Sequence, residues 1–297
     1  MENASQLSEE MKRHAPIDGL ICRPGNQVDA TLLDLAGPRL RAISTYSVGF
    51  NHIDREEASR RGIRVGHCPD TVTGTTADTA LTLVLAAARL VIPAHENVRQ
   101  GQWGRTPFNV YQLCGQDVHH STVGIVGLGR IGLAVARRLR GFDCKILYSG
   151  RKEKPEEAAT VDAEYVSFDE LLRRSDFVLP QVPLNDETRH LFNARAFSLM
   201  KPSAIFVNTT RGGVVDQTAL YDALKSRKIF AAGLDVTDPE PLPADSPLLT
   251  LDNCLILPHV GTATKQCRHE TGAETVRNLY EALTKEEGGK GVYCNKV

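Results

Sequence analysis

The stretch "STVGIVGLGRIGLAVARRLRGF", residues 121–142, decides the fold. It opens with an apolar run, turns through Gly127, Gly129 and Gly132, and continues with apolar residues at helical spacing. A strand, a glycine-rich turn and a helix in that order are the context in which G-x-G-x-x-G binds a dinucleotide. The first glycine allows the tight turn, the second lets backbone approach a pyrophosphate, and the third lets the helix pack on the strand. The helix N-terminus, where Arg130 and Ile131 fall, offers unpaired N–H groups and a positive dipole end to phosphate. Three glycines alone would be an ordinary tight turn. The strand before and the helix after favour a dinucleotide site.

The next apolar run ends in "ILYSGRKEK", residues 146–154. About 20 residues beyond the glycines this fold usually carries an Asp or Glu that bonds the ribose 2′-hydroxyl of NAD. No carboxylate stands there; Ser149, Arg151 and Lys152 do, with Glu153 one step further. A carboxylate would repel a 2′-phosphate, whereas a hydroxyl and two cations can bind and neutralise one. The expected cofactor is therefore NADP(H), with NAD(H) a possibility. Solvated surface charge is the competing reading of Arg151 and Lys152.

Away from this centre, short apolar runs alternate with helical patterns, which points to an α/β fold with a parallel sheet. Strands are expected at 17–22, 41–44, 63–67, 122–126, 144–148, 177–182, 204–208, 230–234 and 254–257. Helices are expected at 130–140, 168–174, 193–199, 216–226 and roughly 265–284. Residues 73–90, opened by threonines and then rich in Ala and Leu, read as a buried helix at a domain junction or subunit interface.

The chain has 297 residues, enough for two domains, with 41% hydrophobic and 24% charged residues. A formal charge of −1 gives no global pull toward nucleic acid or a membrane, so neither is expected as a partner. The first residues, "MENASQLSEEMKRHA", contain no apolar signal core. Seven scattered cysteines without a CxxC pair read as free thiols of a reducing compartment, the cytoplasm. His119 and His120 lack a third ligand at useful spacing, so no metal site is expected. Trp103, Phe108 and Tyr111 form an aromatic arm, read as core or dimer packing ahead of substrate contact.

Five stretches carry a resemblance to a known family: "TVGIVGLGRIG" (122–132), "VPLNDETRHLFN" (182–193), "VNTTRGGVVDQTAL" (207–220), "AAGLDVTDPEPLP" (231–243) and "LPHVGTAT" (257–264). In order and spacing the chain resembles the D-2-hydroxyacid dehydrogenases over roughly residues 17–285. "STYSVGFNHID" (44–54), "RGIRVGHCPD" (61–70), "YSGR" (148–151) and "VTDPEPLP" (236–243) look most like its glyoxylate/hydroxypyruvate reductase branch. The resemblance implies a Rossmann-type doubly wound sheet over residues 72–263. It also implies a discontinuous, flavodoxin-like substrate domain made of residues 1–71 and a returning helix in 264–297, and a homodimer. The implied reaction is hydride transfer to a small 2-oxo acid, giving a 2-hydroxy acid.

By the same resemblance Arg211, Glu240 and His259 are catalytic. An arginine fork can grip a carboxylate, a histidine exchanges protons near neutral pH, and a neighbouring carboxylate favours a charged imidazole. Alone, each residue type is more often structural or solvated. Val48 and Gly49 match the family's substrate-carboxylate loop. Asp235 matches a position that contacts the nicotinamide amide; Val182, Pro183, Thr209, Thr210 and Gly261 match positions lining the cofactor.

One departure stands out. The family places a further strand, helix and strand before the segment matching "IDGLICRP" (17–24). The substrate domain is accordingly expected to be N-terminally shortened, with three strands, an uncovered edge, and lowered stability or activity. That shortening keeps a second reading open, a dinucleotide-sensing interaction protein on the same scaffold, as in the related corepressors.

Overall fold

The computed structural model describes residues 4–105, 109–285 and 289–295, with 4–8 described by backbone alone. The chain divides into two compact units, Met1–Val72 with Ala263–Val297, and Thr73–Thr262.

The first unit begins α1 (Ala4–His14), β1 (Gly19–Cys22), α2 (Ala30–Ala36), β2 (Ala42–Thr45), α3 (Arg55–Arg60) and β3 (Arg64–Gly66). Asp29 and Asp54 start α2 and α3 by accepting the N–H groups of Leu32 and Glu57. The strands are parallel in the order β1-β2-β3. Leu20, Leu33, Ile43 and Val65 form the core, joined by Met11 of α1. β1 is one edge of the sheet, and its Ile21 is 48% exposed.

The second unit contains α4 (Thr73–Ala88), α5 (Val91–Arg99), β4 (Thr122–Val126), α6 (Arg130–Arg140), β5 (Lys145–Ser149), α7 (Pro155–Ala159) and β6 (Ala163–Tyr165). It continues with α8 (Phe168–Arg174), β7 (Phe177–Pro180), α9 (Ala194–Leu199), β8 (Ile205–Asn208), α10 (Gln217–Lys225), β9 (Ala231–Leu234) and β10 (Cys254–Ile256). Seven parallel strands lie in the order β10-β9-β8-β7-β4-β5-β6. Alternate residues face opposite sides. Val123, Ile125, Phe177, Leu179, Ile205 and Val207 pack with α4 and α6, while Leu147, Val178, Phe206 and Ala232 pack with α8, α9 and α10. Both faces are covered, which is why β7, β8 and β9 are buried throughout. The order reverses between β4 and β7, where a doubly wound sheet opens its ligand crevice.

α4 is a core helix of this unit, packed on α6, β8, β9 and β10. Leu90, in the left-handed conformation, ends it and starts α5. No single helix among the described residues is long and apolar enough to cross a membrane. Core packing of the aromatic arm is corrected: Trp103 and Tyr111 are 81% and 80% exposed, and Phe108 lies outside the described residues.

α11 (Lys265–Thr284) returns the chain to the first unit and packs along β1, β2 and β3. The tail then lies on the outer edge of β3. Tyr293 bridges Gly66 in antiparallel sense, Cys294 N–H donates to Val65 O, and Val65 N–H donates to the Asn295 side chain at 2.8 Å.

Candidate active site

All the expected catalytic and cofactor residues of the second unit sit just beyond carboxyl ends of parallel strands. Gly127 follows β4, Ser149 closes β5, Val182 and Pro183 follow β7, Thr209 to Arg211 follow β8, Asp235 and Glu240 follow β9, and His259 and Gly261 follow β10.

The glycine loop is shaped by contact. Gly127 has φ 102°, and a Cβ there would lie 2.7 Å from Gln181 O. A Cβ on Gly132 would lie 2.3 Å from Gly127 O, so the helix could not sit this close with any side chain. A Cβ on Gly129 would meet no protein atom within 4 Å. Gly129 is also the N-cap of α6 and supplies no side-chain cap, so the open space and the first N–H groups of the helix adjoin. This cradle fits the pyrophosphate of a dinucleotide.

Gly127 N–H donates to Ser149 O at 2.8 Å, which brings the end of β5 against the glycine loop. Beyond Ser149 the turn is pinned twice. Tyr165 Oη donates to Gly150 O at 3.0 Å, and the buried Tyr148 Oη accepts Lys154 N–H at 2.9 Å. Arg151 and Lys152 stand exposed between these pins. Among the described residues neither makes an ion pair, whereas Lys154 pairs with Glu157 at 3.6 Å.

The expected contact between Glu240 and His259 is formed. His259 Nδ1 lies 2.9 Å from Glu240 Oε2, and Thr237 N–H donates to Oε1 at 3.0 Å. An ionised carboxylate only accepts, so Nδ1 carries a proton and Nε2 is left for a substrate. Burial alone would push the Glu240 carboxyl up. The bond to His259, its charge, the Thr237 N–H and Arg211 outweigh this and hold it below its ordinary value. Burial holds the Arg211 guanidinium below its ordinary value, against the opposing charge of Glu240. Arg211 NH1 donates to Thr210 O at 2.8 Å. The buried Asn208 shapes this turn: its Nδ2 donates to Arg211 O, and its Oδ1 accepts Thr210 N–H.

Asp235 does more than its sequence position implied. It is 2% exposed, and its oxygens accept Val260 N–H and Gly261 N–H, both at 2.8 Å. It thereby holds the turn immediately after His259, whose φ of 53° is a left-handed conformation that needs such support. Burial pushes the Asp235 carboxyl up despite those two N–H groups. A Cβ on Gly261 would lie 2.6 Å from Asp235 Oδ2. Asn208 and Thr237 escaped the sequence reading because their bonds are made within a turn, two or three residues away, and this role of Asp235 escaped it because its two bonds reach main chain some 25 residues further on.

In the first unit, Val48 and Gly49 lie beyond the carboxyl end of β2. His119 and His120 stack edge to face at 5.2 Å. Among the described residues no cluster of His, Cys, Asp and Glu could hold a metal ion.

Residues 81–261 match the family described as D-isomer specific 2-hydroxyacid dehydrogenase, NAD binding domain. The human glyoxylate reductase/hydroxypyruvate reductase is 48% identical over 281 residues, 94% of this chain and 85% of the relative. Glyoxylate/hydroxypyruvate reductase B of Citrobacter koseri is 45% identical over 278 residues, 93% of this chain and 85% of its own. The NADPH-dependent glyoxylate/hydroxypyruvate reductase of Sinorhizobium meliloti, solved with NADP and malonate, superposes with TM-score 0.83 at 32% identity, covering 95% of this chain and 85% of that one. With its glycine cradle, its strand-end Arg, Glu and His, and these likenesses, the chain belongs to the D-isomer specific 2-hydroxyacid dehydrogenase family.

Proposed function

We propose that the protein is an NADPH-preferring reductase of small 2-oxo acids, glyoxylate and hydroxypyruvate foremost, forming D-2-hydroxy acids. The observation that carries this reading is the Glu240–His259 pair with Arg211's charge beside it. When bound, the nicotinamide supplies the hydride that reaches C2 of the substrate. Arg211 holds the substrate carboxylate or its 2-oxo group, and the Val48 and Gly49 N–H groups share the carboxylate. His259 gives the Nε2 proton to the carbonyl oxygen, and Glu240 keeps the imidazole oriented and charge-compensated through Nδ1. Gly127, Gly129, Arg130, Ile131 and Gly132 hold the pyrophosphate, and Val182, Pro183, Thr209, Thr210 and Gly261 line the rest of the cofactor site. Ser149, Arg151 and Lys152 take the 2′-phosphate, supported by the exposure of both cations and by neither being held in an ion pair among the described residues.

The same reading makes the protein a homodimer, supported by the exposed Val91, Ile92 and Val98 of α5 and by Trp103. Sedimentation at micromolar protein should give twice the chain mass; a monomer rejects that part alone.

The test of the activity is loss of NADPH absorbance on adding hydroxypyruvate or glyoxylate, with kcat/KM higher for NADPH than for NADH. His259→Gln should abolish turnover while NADPH binding survives. A folded, NADPH-binding protein without turnover of either acid would overturn the enzyme reading.

A further inference from the structure

The turn after β2 has its three carbonyls held in a row. Cys68 N–H donates to Ser47 O at 2.9 Å. His67 Nδ1 lies 3.1 Å from Val48 O, and Ser47 Oγ donates to Gly49 O at 2.6 Å. A carbonyl cannot donate, so His67 is protonated on Nδ1. The Ser47 hydroxyl is itself set by Thr45 Oγ1 at 2.9 Å, and Thr45 by the buried His52 Nε2 at 3.0 Å.

His67 is well anchored for this task. Its N–H donates to Val292 O, and its carbonyl accepts Asn278 Nδ2 of α11 at 2.9 Å. Its ring stands edge-on to Phe50 at 5.3 Å between centroids, and Arg55 lies over the Phe50 ring at 4.6 Å.

A trans peptide is planar, with its C=O and the next N–H pointing in opposite directions. Fixing Ser47 O therefore fixes Val48 N–H, and fixing Val48 O fixes Gly49 N–H. Donation to a carbonyl also polarises its peptide and strengthens the N–H on the other side. Among the described residues neither the Val48 nor the Gly49 N–H has an acceptor.

We propose that His67 is a positioning residue for the substrate: its Nδ1–H grips Val48 O and so aims and strengthens the Gly49 N–H toward the substrate carboxylate. This rests on the 2-oxo acid reading, in which Gly49 is a carboxylate donor. His67 touches no reacting atom and acts only through the Val48–Gly49 peptide.

The experiment compares wild type, His67→Phe and His67→Asn by steady-state kinetics with hydroxypyruvate, alongside thermal unfolding. Phe keeps a ring against Phe50 but has no donor; Asn places an N–H donor at a comparable distance from the main chain. His67→Phe should raise KM for hydroxypyruvate about ten-fold, as loss of one hydrogen bond allows, leaving kcat and the KM for NADPH within about two-fold. His67→Asn should recover most of the lost affinity. An unchanged hydroxypyruvate KM in a folded His67→Phe overturns the proposal, as does an equal rise in both variants, which would mark packing as the cause. Absence of wild-type turnover would instead overturn the functional reading, and the proposal with it.

Discussion

His259 is a non-glycine residue at φ 53°, held between two carboxylates with separate tasks. Glu240 bonds its ring, and Asp235 bonds the two N–H groups that follow it. Because the Glu240 carboxyl titrates lower in the folded chain than in the unfolded one, its contacts stabilise fully above the ordinary glutamate value, about 4.3, and are lost as pH falls through the lower folded value. The difference in thermal midpoint between wild type and Glu240→Gln should therefore be present at neutral pH and shrink in that acid window. A difference that stays constant into strong acid would reject the assignment. At the other end of the site, Arg151→Ala should narrow the NADPH-over-NADH preference about ten-fold, the scale of one charge-assisted hydrogen bond. An unchanged kcat/KM ratio would return Arg151 to ordinary surface. The contact of Glu240 with His259 and the place of Arg211 after β8 were to be expected from the family's motifs, which fix their spacing along the chain. The two bonds of Asp235 were not, since nothing in "GLDV" (233–236) announces that Val260 and Gly261 will meet it.

At the scale of elements, the strands and helices nearest the cofactor cradle were readable because each is apolar on both faces or amphipathic over several turns. β6 was missed: it is a three-residue edge strand whose residues are all partly or fully exposed, so it has no apolar run to betray it. α5 was missed because only Arg89 and the left-handed Leu90 separate it from α4, and the one mark of its start is Pro93 in its first turn. α2 and α3 are one to two turns long, and only their Asp caps signal them. The glycine loop shows how tightly strand, turn and helix are joined. Gly132→Ala would put a Cβ 2.3 Å from Gly127 O and 3.3 Å from Ile125 Cγ2. The helix would have to lift from the turn, at a cost of about 1–3 kcal/mol. Thermal unfolding should register that loss, and KM should rise for NADPH and NADH alike, since the pyrophosphate is common to both. A rise for NADPH only would place the fault at the 2′-phosphate turn instead.

At the scale of the whole chain, the two sheets end differently. The seven-stranded sheet closes one side with the short β6, which offers few unpaired groups. The three-stranded sheet ends in an equally short strand, β3, and there the tail covers the edge. Cys294 N–H bonds Val65 O, Asn295 bonds Val65 N–H and Ile63 O, and Val292 O accepts His67 N–H. Val292 N–H in turn bonds Asn278 Oδ1, so the strap is fastened to α11 as well as to the strand. Ending the chain at Lys290 would open these bonds and leave the β3 edge bare. The net loss should be about 5 kcal/mol, at roughly 1 kcal/mol for each bond. Urea unfolding of the truncated protein should show a lowered midpoint, and light scattering should show earlier aggregation on warming. NADPH affinity should be unchanged, because the glycine cradle belongs to the other unit. If the midpoint is unchanged, the strap is surface ornament and β3 needs no cover; if NADPH affinity falls in step with stability, the two units do not fold as separate bodies.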